Sequence, residues 1–231
     1  MNSQILQNKS DIKSHNYKGK FCFIGISIGP DNSSESGIAV LDRNLNLIKT
    51  DKAYNLSELK LLISNISPPA NTILCVDLPK NIMMLTGKWR IESKQTQILS
   101  MKNMPDTLKG SWQKRYSDRG SELCVYFDSL GMEIYRYSPY YTKNLLKLNP
   151  PYKSRTPAAC KFLQNIIEEK LEISNMPVNL LPLPSLNAII GAFIGWKVST
   201  CDENTGYKQI GVYKDFPIIS STLLCPVSYK Y

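Results

Sequence analysis

Apolar positions along the chain come in three patterns, and each predicts a different kind of element. Phe21, Cys22, Phe23, Ile24, Ile26 and Ile28 are too continuous for a strand with one wet face, so this run reads as a central strand buried on both sides. A turn rich in Gly, Pro, Asn and Ser follows, and Gly37 to Leu41 is the hairpin partner. Asp42, Arg43 and Asn44 form the next turn, after which Leu45, Leu47 and Ile48 alternate as a third strand. Asn55 with Glu58 resembles a capping box, and Leu56, Leu59, Ile63 and Ile66 recur at helical spacing, which predicts a helix over 56–66 stopped by Pro68 and Pro69. Thr72 to Leu78, TILCVDL, is a second continuous run; after a helix it marks a strand that joins the sheet by a crossover.

Between Asn81 and Gly110 the periodicity weakens, and Trp89, Ile91, Ile98 and Leu99 predict a single helix. Leu123, Tyr126, Phe127 and Leu130 predict another, closed by Gly131. Met132 to Tyr137 alternates and reads as the last core strand, broken by Ser138 and Pro139, with Tyr140, Tyr141, Pro150, Pro151 and Tyr152 in a loop beyond it. Thr156 and Pro157 start a helix whose buried face is Leu163, Ile166, Ile167 and Leu171. A linker punctuated by prolines, Met176 to Pro184, leads to a helix over Ser185 to Val198, capped by Ser185 and apolar almost all round, hence buried on most sides. Gly191 and Gly195 would let that helix lie close on the sheet, and its length is too short for a membrane span. The tail carries a hairpin around Gly211 and Phe216, read as lying at the sheet edge. The expectation is an α/β chain with a central mixed five-stranded sheet, three antiparallel strands then parallel ones, flanked by helices. Residues 1–20 read as a disordered basic leader, 21–200 as one domain and 201–231 as an extension.

Composition narrows the chemistry. A formal charge of +9 over 231 residues favours polyanionic partners, nucleic acid among them. Six cysteines form no CxxC pair, and Cys22 and Cys75 lie inside strand-like runs, so they read as buried thiols in a reducing compartment. No signal sequence or membrane segment is read, which makes a soluble, cytoplasmic protein the expectation. The only histidine, His15, falls in the leader, which removes Ser/His/Asp triads, Cys/His dyads and histidine-ligated zinc from the core.

Asp77 ends the TILCVDL strand, where open α/β sheets place their ligands, and Pro79 turns the chain out of the sheet there. A bond from Asp77 to a local backbone N–H is the plainer account. Lys88 and Arg90 flank Trp89, and Lys153 and Arg155 follow Tyr152. Both patches suit phosphate contact and base stacking; both also suit a solvated face with the aromatic rings packed inside.

The GISIG hairpin, the VDLP strand end, the Gly87 to Arg90 segment, the Glu133 to Pro139 strand exit, Lys153 and the Leu186 to Ala192 helix together resemble a ribonuclease H-like family of predicted nucleases, domain of unknown function 429, over residues 21–200. The resemblance implies a ribonuclease H-like fold and phosphodiester hydrolysis by divalent cations, magnesium or manganese. These would be held by an aspartate on strand one, an acid at the end of strand four and an aspartate on a late helix. In this chain those catalytic positions read Ser27, Asp77 and Asn187. Magnesium prefers hard anionic oxygen, and a hydroxyl and an amide now replace two carboxylates. The resemblance therefore points to a decayed metal site and to nucleic-acid binding without efficient cleavage, with Lys88, Arg90, Lys153 and Arg155 as contacts. Other readings stay open. Asp77 with Asp31 or Glu92 would hold one cation and support weak nuclease activity. The hairpin would cradle a nucleotide phosphate near Gly25, Gly29 and Ser27 as in actin-like kinases, although no second copy of it is found. The basic surface would meet an acidic protein as a non-enzymatic interaction module.

Overall fold

The computed structural model describes residues 21–78, 100–101, 112–153 and 155–222. β1 (Cys22–Ser27), β2 (Ser36–Leu41) and β3 (Leu47–Ala53) form an antiparallel meander. α1 (Leu56–Ser64) then crosses over to β4 (Thr72–Asp77), which runs parallel to β1. The box at the start of α1 forms: Asn55 Oδ1 accepts from the Glu58 N–H at 2.8 Å, and Glu58 Oε2 accepts from the Tyr54 N–H at 3.0 Å. β5 (Ser100–Met101), α2 (Trp112–Asp128) and β6 (Glu133–Tyr137) follow, then α3 (Pro139–Leu145), α4 (Pro157–Leu171), α5 (Leu183–Thr200) and the hairpin of β7 (Tyr207–Tyr213) and β8 (Phe216–Ser221). The sheet order is β3-β2-β1-β4-β6-β8-β7-β5, seven strands of at least five residues and a two-residue piece at one edge.

The meander followed by parallel strands is the expected opening, but the expectation of five strands is corrected. The tail hairpin extends the sheet: β8 pairs parallel with β6, Arg136 opposite Ile218 and Tyr137 opposite Ile219, so Met132 to Tyr137 is not the last core strand. Ile218 and Ile219 are both buried, and their pairing covers the backbone edge that β6 would otherwise present to water. Other boundaries move for local reasons. Leu45 sits in the turn at φ 60°, so β3 begins at Leu47 and runs to Ala53. Tyr140 and Tyr141 lie in α3 rather than a loop, because Pro139 opens the helix and Ser138 Oγ accepts from the Tyr141 N–H at 3.3 Å. α5 starts ahead of Ser185, which sits buried in its first turn instead of capping it. The helix expected between Asn81 and Gly110 lies outside the described residues, apart from the Ser100–Met101 strand, as does the leader 1–20.

Two apolar layers enclose the sheet. Ile24, Ile26, Leu74, Val76 and Ile134 pack with α1 and α2, while Phe23, Ile73, Cys75 and Tyr137 pack with α4 and α5. α5 is buried on almost every side, as its composition required. It lies so close to β1 that a Cβ on Gly25 would come within 1.9 Å of the Ala188 carbonyl oxygen and 2.4 Å of the Ala192 nitrogen. That contact fixes the distance between α5 and the carboxyl end of β1. Cys22, Cys75, Cys124 and Cys160 are buried free thiols. Among the described residues no helix is long and apolar enough to cross a membrane.

Candidate functional site

Alternation of side chains along β1 sends Cys22, Ile24 and Ile26 to one layer and Phe23 and Gly25 to the other, and Ser27 continues the second series toward α5. On β4 the same alternation carries Ile73, Cys75 and then Asp77 to that face. Because Ile26 is paired with Val76, the next residues, Ser27 and Asp77, meet at the strand ends. Ser27 Oγ donates to Asp77 Oδ2 at 2.7 Å, the Ile28 N–H donates to Oδ1 at 2.9 Å, and the Tyr116 hydroxyl of α2 donates to Oδ2. Asp77 is wholly buried. Burial pushes its carboxyl up to about 6 against the opposing pull of the three donors and of Arg136. Burial, with the Asp77 charge beside it, likewise holds the Tyr116 hydroxyl well above its ordinary value, which keeps it protonated as a donor.

Arg136, also wholly buried, braces the same corner from β6. Its Nε donates to the Val76 carbonyl at 3.2 Å and its Nη2 to the Asp77 carbonyl at 2.8 Å, so the guanidinium holds the main chain of the strand end. Gly120 on α2 makes room for it, since a Cβ there would stand 2.7 Å from Nη2.

Asn187, on α5, lines a cleft of about 790 Å³ together with Ser27, Tyr116, Glu35 and Arg155. Lys143 Nζ of α3 donates to Asn187 Oδ1 at 3.0 Å, and the Tyr137 hydroxyl donates to the Asn187 carbonyl at 2.8 Å. Burial pulls Lys143 down to about 8, opposed chiefly by the charge of Asp77. Asp31 is engaged elsewhere: its Oδ1 accepts from the Ser33 N–H at 3.1 Å, the Ser33 hydroxyl at 2.6 Å and the Ser34 hydroxyl at 2.9 Å. Those bonds hold its carboxyl below the usual range. Its carboxylate thus closes the β1–β2 turn. Lys153 is exposed, and its carbonyl accepts from the Thr156 N–H and hydroxyl at the start of α4. Lys88, Arg90 and Glu92 lie outside the described residues.

The three strand and helix positions therefore come to one corner, but their donor set does not fit a divalent cation. Asp77 is the lone carboxylate of the trio, and both its oxygens already accept hydrogen bonds from protein donors. Among the described residues no group of three or more His, Cys, Asp or Glu side chains is placed to hold a metal ion.

Tyr116, Arg136 and Glu35 were not singled out by sequence reasoning. Two of them left a signal. Tyr116, Gly120, Leu123 and Phe127 follow helical spacing, so the stripe extends about two turns upstream once Gly120 is admitted to the helix. Arg136 occupies an apolar phase in Met132, Ile134, Arg136, and a charge in such a phase marks a buried, partnered group. Glu35 carries no such mark.

No protein-family model matches the chain, and no curated protein matches it. Among the solved structures that do match is Thermus thermophilus RuvC in complex with a Holliday junction substrate, with a TM-score of 0.44 and 13% identity, covering 77% of this chain and 94% of that one. Another is a Thermus thermophilus RuvC structure, with a TM-score of 0.42 and 10% identity, covering 77% and 95%. At this level of likeness neither the substrate named with the first nor any chemistry carries over to this chain.

Proposed function

We propose that the chain is a ribonuclease H-like protein, akin to the predicted nucleases it resembles in sequence, that binds nucleic acid and has lost metal-dependent hydrolysis. The strand order supports the scaffold: an antiparallel meander, then β4 parallel to β1 and β6 parallel to β4. Residues 21–200 form the ribonuclease H-like unit in this reading, 201–231 is an extension to it, and the setting is cytoplasmic. The observation that carries the loss of hydrolysis is the closure of Asp77, the remaining carboxylate, by Ser27, Ile28 and Tyr116. A cation would have to displace a hydroxyl donor and would still find only one formal negative charge among the three positions. Nucleic acid as partner rests on the +9 charge and on Arg155 at the cleft.

The test is incubation of the pure protein with single-stranded and duplex DNA and RNA in magnesium, manganese or chelator. The expected result is no metal-dependent cutting, with binding that weakens steeply as salt rises. Cutting that requires the metal and vanishes in Asp77→Asn overturns the loss of hydrolysis; affinity independent of salt overturns nucleic acid as the partner.

A further inference from the structure

We propose that the cleft receives one unstacked nucleotide of a single strand, its phosphate on Arg155 and the Watson–Crick edge of a guanine on Glu35. The inference rests on the nucleic-acid reading above and names the feature that the cleft would recognise.

Two side chains on the cleft wall lack partners among the described residues. Glu35 Oε1 is buried and accepts no hydrogen bond among the described residues. Burying an acceptor without a donor is costly, most of all on a carboxylate, so an oxygen of this kind at the wall of a cavity calls for an N–H from a ligand. Arg155 is exposed at the same cleft and makes no ion pair or hydrogen bond among the described residues. Its planar fork of donors matches a phosphate in two-point contact. Ser27, Tyr116, Ser34 and Asn187 also line the space, but the first three give their hydroxyl protons to Asp77 or Asp31 and Asn187 Oδ1 accepts from Lys143, which leaves Glu35 and Arg155 as the charged groups that face a ligand.

A ligand that satisfies both must carry an anion and, several bonds away, N–H donors. A nucleotide does, and guanine alone among the common bases presents two adjacent donors, N1–H and N2–H, to a carboxylate. Uracil and thymine offer a single N–H between two carbonyl oxygens, which a carboxylate repels. In a duplex the guanine edge is already paired, so the strand must be single. The volume of about 790 Å³ lies within the roughly 300–1,000 Å³ of clefts that take small ligands. Leu180 to Pro184 form an apolar part of the wall, and Leu180 is 45% exposed, an uncovered surface on which the face of a base can rest.

The test measures binding of 5′-GMP and 5′-UMP by titration calorimetry, and of single-stranded octanucleotides with and without one guanine by fluorescence anisotropy. Guanine is expected to bind about tenfold tighter than uracil in both formats, the discrimination of one good two-point contact. Glu35→Gln should erase that preference, and Arg155→Ala should weaken all ligands alike and lower the salt dependence by about one phosphate contact. Glu35 and Arg155 bond to nothing else among the described residues, so both variants are expected to fold, and their circular dichroism spectra check this. Equal affinity for guanine and uracil, or a preference that survives Glu35→Gln, overturns the inference. Oligonucleotide binding without guanine preference overturns this inference alone; no oligonucleotide binding at any salt overturns the nucleic-acid reading and the inference with it.

Discussion

Titrating Asp77 tests the physics of the site most directly. Burial raises its carboxyl from the ordinary 3.8 to about 6, even though three donors and Arg136 pull the other way. Between those values the folded protein keeps a proton that the unfolded chain has already released. The unfolded state then binds fewer protons, so stability falls as pH rises through this window. The contribution is whole below the ordinary value and spent once pH passes the raised one. At about 1.4 kcal/mol per pH unit the distance from 3.8 to about 6 corresponds to about 3 kcal/mol. Asp77→Asn supplies the reference, because subtracting its stability cancels the other titrating groups, whatever constant cost the amide brings. Urea denaturation of both proteins at steps from about pH 4 to about pH 8 should show wild-type stability falling relative to the variant by about 3 kcal/mol and levelling above about pH 7. A difference that rises over the window refutes the reasoning: it would mean that the donors and Arg136 outweigh burial and that Asp77 is a stabilising carboxylate.

Tyr116→Phe removes one donor from the Asp77 carboxylate, so stability should fall by about 2 kcal/mol at neutral pH and by less where Asp77 is protonated; an equal loss at both pH values in the same urea series would show that the ring, not the hydroxyl, matters. Gly25→Ala forces a Cβ to within 1.9 Å of the Ala188 carbonyl oxygen, backbone against backbone, and should cost at least about 4 kcal/mol, read as a large drop in Tm by circular dichroism. A drop of only a few degrees would mean that α5 can lift from the sheet without loss.

Much of the framework is visible in the order of residues because buried strands and capped helices have local signatures. The run from Phe21 to Ile28, the Asn55 to Glu58 box and the TILCVDL run each state their element without help from distant residues, and the structure places β1, α1 and β4 there. The meeting of Ser27 with Asp77 follows from strand parity once β1 and β4 are taken as neighbours. The strand count fell short because pairing partners are non-local: nothing near Ile218 says that its strand will lie against β6. α2 was cut short for a different reason. Its stripe was read only from Leu123 onward, whereas Gly120 lies inside the helix, where its missing side chain admits the Arg136 guanidinium. The closure of Asp77 by Tyr116 was hidden by the same misjudgement, since the tyrosine stands in the part of α2 that the stripe had left out.

The charges around this corner argue for one kind of visitor over another. Asp77 brings a single negative charge, and two cations attend it: buried Arg136, bonded to the Asp77 carbonyl, and half-buried Lys143, held by Asn187 Oδ1 and depressed only to about 8, so still largely protonated at neutral pH. Glu35 and Arg155 on the cleft wall add one charge of each sign. A divalent cation would enter a region that already carries positive charge to spare, without the carboxylates that would repay its dehydration. A phosphate would enter with the sign reversed. Arg136 and Lys143 are fixed cations at this corner, and the field they leave favours an anionic ligand over a further cation.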